Sequence, residues 1–364
     1  MKKIIQTLVV IVLVMTVALS CLFKPHTVYS ESERRPLAEK PSLAVSSVAS
    51  GEFMKNFELY STDQFPMRDK LRTLKALFVN FFLNKKDNNG LFVAEGHLSK
   101  LEYPVNADMV DNAVQKFDYL YNTYLKDTGV NIYLSIVPDK NCFIAEKNGY
   151  VSIDYKRFAK EFSNRVNYMK YIDILPLLSA DKYYKTDSHW KQEEIVNIAE
   201  FIAESMGQDA ETEYKINTLD KPFDGVYKGQ SALPFKADTI KYLTNTELED
   251  ATVRYFDTGV SKEGEMYDMN KAYGKDPYEI FLSGTMPLIE IENENARTEK
   301  ELVIFRDSFG SSIAPLLVHA YKKITVVDIR YIQSTFVGNY VKFDNQDVLF
   351  LYSTTLLNNS TALR

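Results

Sequence analysis

The chain predicts an α/β fold around a mainly parallel sheet covered on both faces, and two observations carry that expectation. NIYLSIVP (131–138), ELVIFRD (301–307) and DVLFLYS (347–353) are apolar almost without alternation, as strands are when neither sheet face meets water. Helix-period stretches stand between them, which suits crossover connections. With 364 residues, 45% of them hydrophobic, the chain can bury one large core with an appendage.

The N-terminal segment comes first in order. Lys2 and Lys3 precede IIQTLVVIVLVMTVALSCLF (4–23), an apolar run closed by Lys24. A charged start followed by about 20 apolar residues reads as an export signal or a single membrane anchor over 1–30, cut near VYS (28–30) or retained. The remainder is therefore expected outside the cytoplasmic membrane, anchored or secreted. Residues 31–52 are polar, with Pro and Ser, and read as a linker. Over 53–107 a helical segment is expected to pack on the core. Phe53, Phe57 and Tyr60 keep helical spacing, Pro66 interrupts, and Leu71, Leu74, Leu77, Phe78 and Phe81 resume it. NKKDNNG (84–90) is a turn leading into a hairpin, LFVAEGHLSK (91–100).

From 108 to 364 the main domain is expected. DNAVQKFDYLYNTYLKDTG (111–129) and RFAKEFSNRVNYM (157–169) read as helices around the strand at 131–138, and YIDILPLL (171–178) is short and apolar. WKQEEIVNIAEFIAESMG (190–207) reads as one amphipathic helix stopped by Gly207. Residues from about 208 to 300 are irregular and rich in Asp, Glu and Asn, and are expected to form an insertion. Order returns with a strand at 301–307, a helix SSIAPLLVHAYKK (311–323), a strand ITVVDIR (324–330) and a strand at 347–353.

Composition excludes several functions. Net charge is −6 with no basic block, so no nucleic-acid partner is expected. The two cysteines, Cys21 and Cys142, offer neither a disulfide framework nor a thiolate metal site, and the few histidines lack metal-ligand spacing. GxxxxGK and GxGxxG are both missing, so no cofactor is expected.

What remains is nucleophile chemistry. In FRDSFG (305–310) a strand runs straight into Ser308, and the chain then turns helical. A serine at the carboxyl end of a parallel strand lies where ligands gather, and neighbouring N–H groups can face an oxyanion. Gly310 would let a substrate approach; alternatively, Asp307 or Ser308 simply caps the helix. Serine needs a base, and the base a carboxylate. TDSHW (186–190) holds Asp187 and His189 two residues apart, on one side of an extended segment, with Trp190 as a wall or as packing beneath. Of the other histidines, His26 lies in the linker, His97 in a turn and His319 on an apolar helical face, so His189 is left as the candidate base.

These stretches resemble the DHHW protein family, related to the alginate O-acetyltransferases of the SGNH-hydrolase superfamily. FELYSTDQFPMRD (57–69), NNGLFVAEGHL (88–98), IVPDK (136–140), TDSHW, PFDGVYKGQS (222–231), FLSGTMPLIEIEN (281–293), FRDSFG and VDIRYI (327–332) carry the resemblance. It implies a three-layer α/β/α, SGNH-hydrolase-like domain with permuted motif order, Asp and His preceding Ser. It also implies Ser308 as nucleophile, His189 as general base and Asp187 as the residue that orients it. Ser188 stands where the motif has His, and Gly284-Thr285 where the family has Gly-Asn, so the oxyanion donor expected there is altered. Arg330 and Lys140 are expected as substrate or oxyanion contacts, or as ordinary ion-pair residues. The implied activity is O-acetyl transfer to an exported polysaccharide, with a membrane-bound O-acyltransferase as acetyl supplier. A carbohydrate acetyl esterase using the same residues, and a non-catalytic polysaccharide-binding or assembly protein, are the alternatives.

Overall fold

The computed structural model describes residues 2–257 and 260–364. The chain divides into two compact units; the first ends at Asn89 and includes Lys228–Phe235, and the second comprises Gly90–Tyr227 and Lys236–Arg364.

In the first unit, helix α1 (Lys2–Phe23) is exposed along almost its whole length and is long and apolar enough to cross a membrane. Helix α2 (Glu52–Asp63) and helix α3 (Arg68–Leu77) are separated at Phe65-Pro66, because proline has no N–H to continue the ladder. The segment read as a linker is fastened here. Arg35 makes a two-pronged pair with Asp63, at 2.9 and 2.7 Å, and Arg68 and Arg72 both reach Glu33. These arginines occupy the inner side of α3, so the apolar stripe expected to pack on a core faces outward. Leu71, Leu74, Phe78 and Phe81 are all exposed.

The second unit opens with the hairpin β1 (Leu91–Ala94) and β2 (His97–Lys100), so it starts at Gly90 rather than near residue 108. Helix α4 (Ala107–Leu120) leads to β3 (Asn131–Val137), helix α5 (Tyr155–Arg165) to the short β4 (Lys170–Tyr171), and helix α6 spans Val196–Ser205. Then come β5 (Lys215–Phe223), β6 (Asp238–Thr244), β7 (Thr252–Asp257), β8 (Val260–Gly264), β9 (Leu288–Glu292), β10 (Glu301–Arg306), helix α7 (Phe309–Ile313), β11 (Lys323–Val327) and β12 (Asp347–Ser353).

The central sheet runs β8-β7-β9-β11-β10-β12-β3-β4. Strands β11, β10, β12, β3 and β4 are parallel, and β8, β7 and β9 extend that edge antiparallel. The region expected as an insertion thus supplies sheet strands, plus the β5–β6 ribbon. Its alternating, polar-flanked strands at an edge lack the continuous apolar signature of central ones. Along β10, Leu302 and Ile304 join one buried cluster with Ile198 and Ile202 of α6, whereas Val303 and Phe305 join another with Phe117 of α4 and Phe162 of α5. Helices therefore cover both faces. Each fully buried large apolar side chain contributes roughly 1.5–3 kcal/mol, and Cys21 and Cys142 are both free thiols, so packing carries the stability.

Two helices differ from their sequence reading. The segment from Trp190 does not enter a helix at once: Trp190 pairs with Tyr183, Gln192–Glu194 form a 3₁₀ turn, and α6 follows. The helix expected at 311–323 starts at Phe309 and tightens to 3₁₀ over Ala314–Ala320, where Pro315 lacks a donor.

Candidate active site

Strand β10 lies between β11 and β12, parallel to both, and its carboxyl end delivers Arg306-Asp307-Ser308. The capping role falls to Asp307. Its carboxylate accepts from the Phe309 N–H (3.0 Å) and from the Ser353 N–H at the end of β12 (2.8 Å). The Ser308 hydroxyl makes no capping bond and instead lies 2.7 Å from His189 Nε2. On the other side of the ring, His189 Nδ1 lies 2.6 Å from Asp187 Oδ1. Ser308, His189 and Asp187 are thus brought into one hydrogen-bonded line, although Ser308 lies 119 residues beyond His189 in sequence.

Asp187 is fully buried. The backbone N–H groups of His189 and Val226 donate to it, at 3.1 and 2.8 Å, fixing both oxygens. Gly225 lets the second loop come this close, since a Cβ there would sit 2.3 Å from the Thr186 carbonyl oxygen and 2.5 Å from Asp187 Cβ. Asp238 grips the same stretch, accepting from the N–H groups of Lys185 and Thr186 and from the Thr186 hydroxyl. The stretch 185–189 is therefore a loop closed at its base by the Tyr183–Trp190 pair and by the Tyr184 N–H donating to the His189 carbonyl (3.0 Å). Asp238 and the Val226 N–H hold it in shape from outside.

Lys140 is part of that hold. Its ammonium donates to the carbonyls of Tyr184 (2.8 Å), Lys185 (3.4 Å) and Asp187 (2.7 Å) and is almost fully buried, so it faces the loop rather than a substrate. Burial pushes its pKa down to about 7, partly countered by Asp187, Asp238 and Asp139.

For Trp190 and Arg330 the alternatives of packing and ion pairing hold, and the expectation for Gly310 is corrected. Trp190 is buried and lines no open surface; its Nε1–H donates to Ser312 Oγ (2.8 Å) and to the Phe309 carbonyl (3.2 Å) beneath the site. Gly310 makes room for Arg306, whose Cβ would lie 2.5 Å from an added side chain. Arg330 has its guanidinium fork occupied by Asp328, at 2.9 and 2.6 Å. Asp328 also pairs with the buried Arg306 (3.4 Å). Gly284, at φ 72°, offers its carbonyl to Arg306 (3.1 Å), and Thr285 is exposed. The neighbouring N–H groups expected to face an oxyanion are already used, Phe309 by the Asp307 carboxylate and Gly310 by its carbonyl. Among the described residues the Ser308 N–H makes no hydrogen bond, leaving it as a donor beside the Ser308 hydroxyl.

Tyr278 escaped the sequence reading. Its ring stacks on that of His189, centroids 4.0 Å apart and planes 12° apart, and its hydroxyl donates to Ser312 Oγ (2.8 Å). A lone tyrosine in an irregular stretch carries no motif; only a His189 contact could have singled it out. Among the described residues no group of three or more His, Cys, Asp or Glu side chains gathers as metal ligands do.

No family model and no curated protein matches the chain. Solved structures do. A DHHW family protein from Eubacterium siraeum superposes with a TM-score of 0.60 at 20% identity, over 76% of this chain and 94% of that one. PatB1 of Bacillus cereus gives a TM-score of 0.57 at 19% identity, over 74% of this chain and 97% of that one. The O-acetyltransferase domain of Pseudomonas putida AlgJ gives 0.44 at 13% identity, over 74% and 92%. At these identities the first two show a shared fold, and the chain has that of a solved DHHW family protein.

Proposed function

We propose that the chain is an extracytoplasmic serine-dependent O-acetyltransferase acting on an exported polysaccharide. The observation that carries this reading is the line Asp187–His189–Ser308, with contacts of 2.6 and 2.7 Å. Such a line turns a weakly nucleophilic hydroxyl into an acyl acceptor. The sequence resemblance then selects acetyl transfer and the permuted SGNH-type order, and α1 is suited to export or anchoring. A membrane-bound O-acyltransferase is the proposed acetyl supplier.

In the first half-reaction His189 Nε2 takes the proton of Ser308 as Oγ attacks the donor's acetyl carbonyl. The oxyanion forms beside the Ser308 N–H, and the leaving group departs with the proton from His189. In the second half-reaction a sugar hydroxyl gives its proton to His189 and attacks the acetyl-serine, and Ser308 regains a proton as the ester is passed on. Asp187 holds Nδ1–H throughout and balances the transient imidazolium.

The test is turnover of a chromogenic acetyl ester by the full chain in detergent, alongside Ser308→Ala and His189→Ala, followed by mass spectrometry of oligosaccharide acceptors. Both variants should lose about 10³-fold or more. Acetylated oligosaccharide supports transfer, and free acetate alone moves the reading to a carbohydrate esterase. An inert wild type that binds glycans as well as the variants overturns the enzyme reading in favour of a binding or assembly role.

A further inference from the structure

In the first unit, α3 and its continuation as a wider turn over Phe78–Phe82 carry an amphipathic pattern turned inside out. Met67, Leu71, Leu74, Phe78 and Phe81 follow one another at intervals of four, three, four and three residues, which puts them on one helical face. That face is outside: Met67 is 66% exposed, Leu74 64%, Phe81 76% and Phe82 78%. The opposite face holds Arg68 and Arg72 against Glu33 and Asp63, with Ala76 buried. Charges packed inward while leucines and phenylalanines point outward is the reverse of what water selects, and a contiguous apolar stripe of this kind marks an interaction surface.

We infer that this stripe lies in the interfacial layer of a lipid bilayer, so that the first unit rests on the membrane along α3. Three observations favour lipid as the occupant. First, the foot of the membrane-length helix α1 is tied to the turn where the stripe begins. Lys24 reaches the carbonyls of Gln64 and Phe65, at 3.4 and 3.5 Å, and the Gln64 amide bonds both backbone groups of Thr27, at 3.1 and 2.8 Å. A bilayer that receives α1 therefore comes within reach of Met67. Second, Lys70, Lys75, Lys85 and Lys86 are all exposed on or beside the stripe, where they can meet anionic headgroups while their stems line apolar surface. Third, the far end is aromatic, Phe78, Phe81 and Phe82, and bulky rings suit the boundary between headgroups and acyl chains. The inference is independent of the acyl-transfer reading.

The experiment uses the full chain carrying Phe81→Trp, reconstituted in phosphatidylcholine–phosphatidylglycerol vesicles with or without brominated acyl chains. The only native tryptophan, Trp190, is buried, and the unsubstituted chain supplies the background. Residue 81 is exposed, so the substitution leaves packing intact. The expected result is emission blue-shifted by about 10 nm or more, quenched at least about twofold by brominated lipid and little by iodide, with Leu74→Glu/Phe78→Glu in the same chain reversing both. Ready iodide quenching with no effect of brominated lipid overturns the inference in favour of a water-exposed stripe. Protection from both quenchers, changing with protein-to-lipid ratio, overturns it in favour of a second copy.

Discussion

The imidazole of His189 lies face to face with the phenol ring of Tyr278, 4.0 Å apart and within 12° of parallel. The contact fixes the plane of the ring whose edges meet Asp187 and Ser308, and Ser312 fixes Tyr278 in turn through its hydroxyl. A base held by hydrogen bonds at two edges can still tip about the line joining them; a stacked face removes that freedom. Tyr278→Phe keeps the face and should lower turnover less than about threefold, whereas Tyr278→Leu should lower kcat on the order of 10- to 100-fold with KM little changed. Steady-state kinetics on an acetyl ester separate the two; equal kcat in both variants would mean that the stacked ring does not hold His189.

Gly225 is the point where the two loops around Asp187 touch. Gly225→Ala puts a methyl 2.3 Å from the Thr186 carbonyl oxygen, so the Val226 N–H must withdraw from Asp187. Turnover should fall about 100-fold, since misplacing a catalytic group by about 1 Å costs that much. A fully active Gly225→Ala chain would mean that the second loop leaves Asp187 free to find its own place.

Lys140 links the site to pH. With its pKa pushed down to about 7, the folded chain gives up a proton that the unfolded chain keeps up to the ordinary lysine value of 10.5. Stability from this group therefore rises with pH between about 7 and 10.5, and is lost as pH falls through that window. Lys140→Met should be less stable by roughly 1–3 kcal/mol, because the Tyr184 and Asp187 carbonyls lose the ammonium as a buried donor, while the Lys185 carbonyl keeps the Leu98 N–H. The gap between wild type and variant, read from urea midpoints, should widen from pH 7 to pH 10. A gap that stays constant would show Lys140 titrating normally.

His97 acts in the acid range. It is buried in β2, its Nδ1 has no partner among the described residues, and burial holds its pKa down at about 4. The unfolded chain binds a proton near pH 6.5 that the folded chain refuses, so stability falls as pH drops from 6.5 to about 4 and levels off below. His97→Gln should flatten this part of the profile relative to wild type, as followed by thermal unfolding at pH 7, 5.5 and 4.5. Parallel profiles would exclude His97 as the source.

The strands at 131–137, 301–306 and 347–353 could be read from residues alone, because burial on both faces leaves a continuous apolar run that only a central parallel strand explains. Ser308 and the Asp187–His189 pair were nameable for a similar reason: few residue types do this chemistry, and histidine is scarce in this chain. Strands β7 and β9 were not legible, since they are short strands of the antiparallel flank whose burial alternates residue by residue, a pattern that many loops share. Lys140 and Gly310 were misread and Arg330 was left between two readings, because each letter is the same whether it meets solvent, a carbonyl, a carboxylate or a packed neighbour. Val226 contributes a backbone N–H, which every residue but proline owns and no sequence advertises. Local composition thus determines which segments can be buried and which side chains can react. Long-range packing alone determines what each of them faces, because the partners lie tens to more than a hundred residues away and meet only when the sheet and its covering helices close around them.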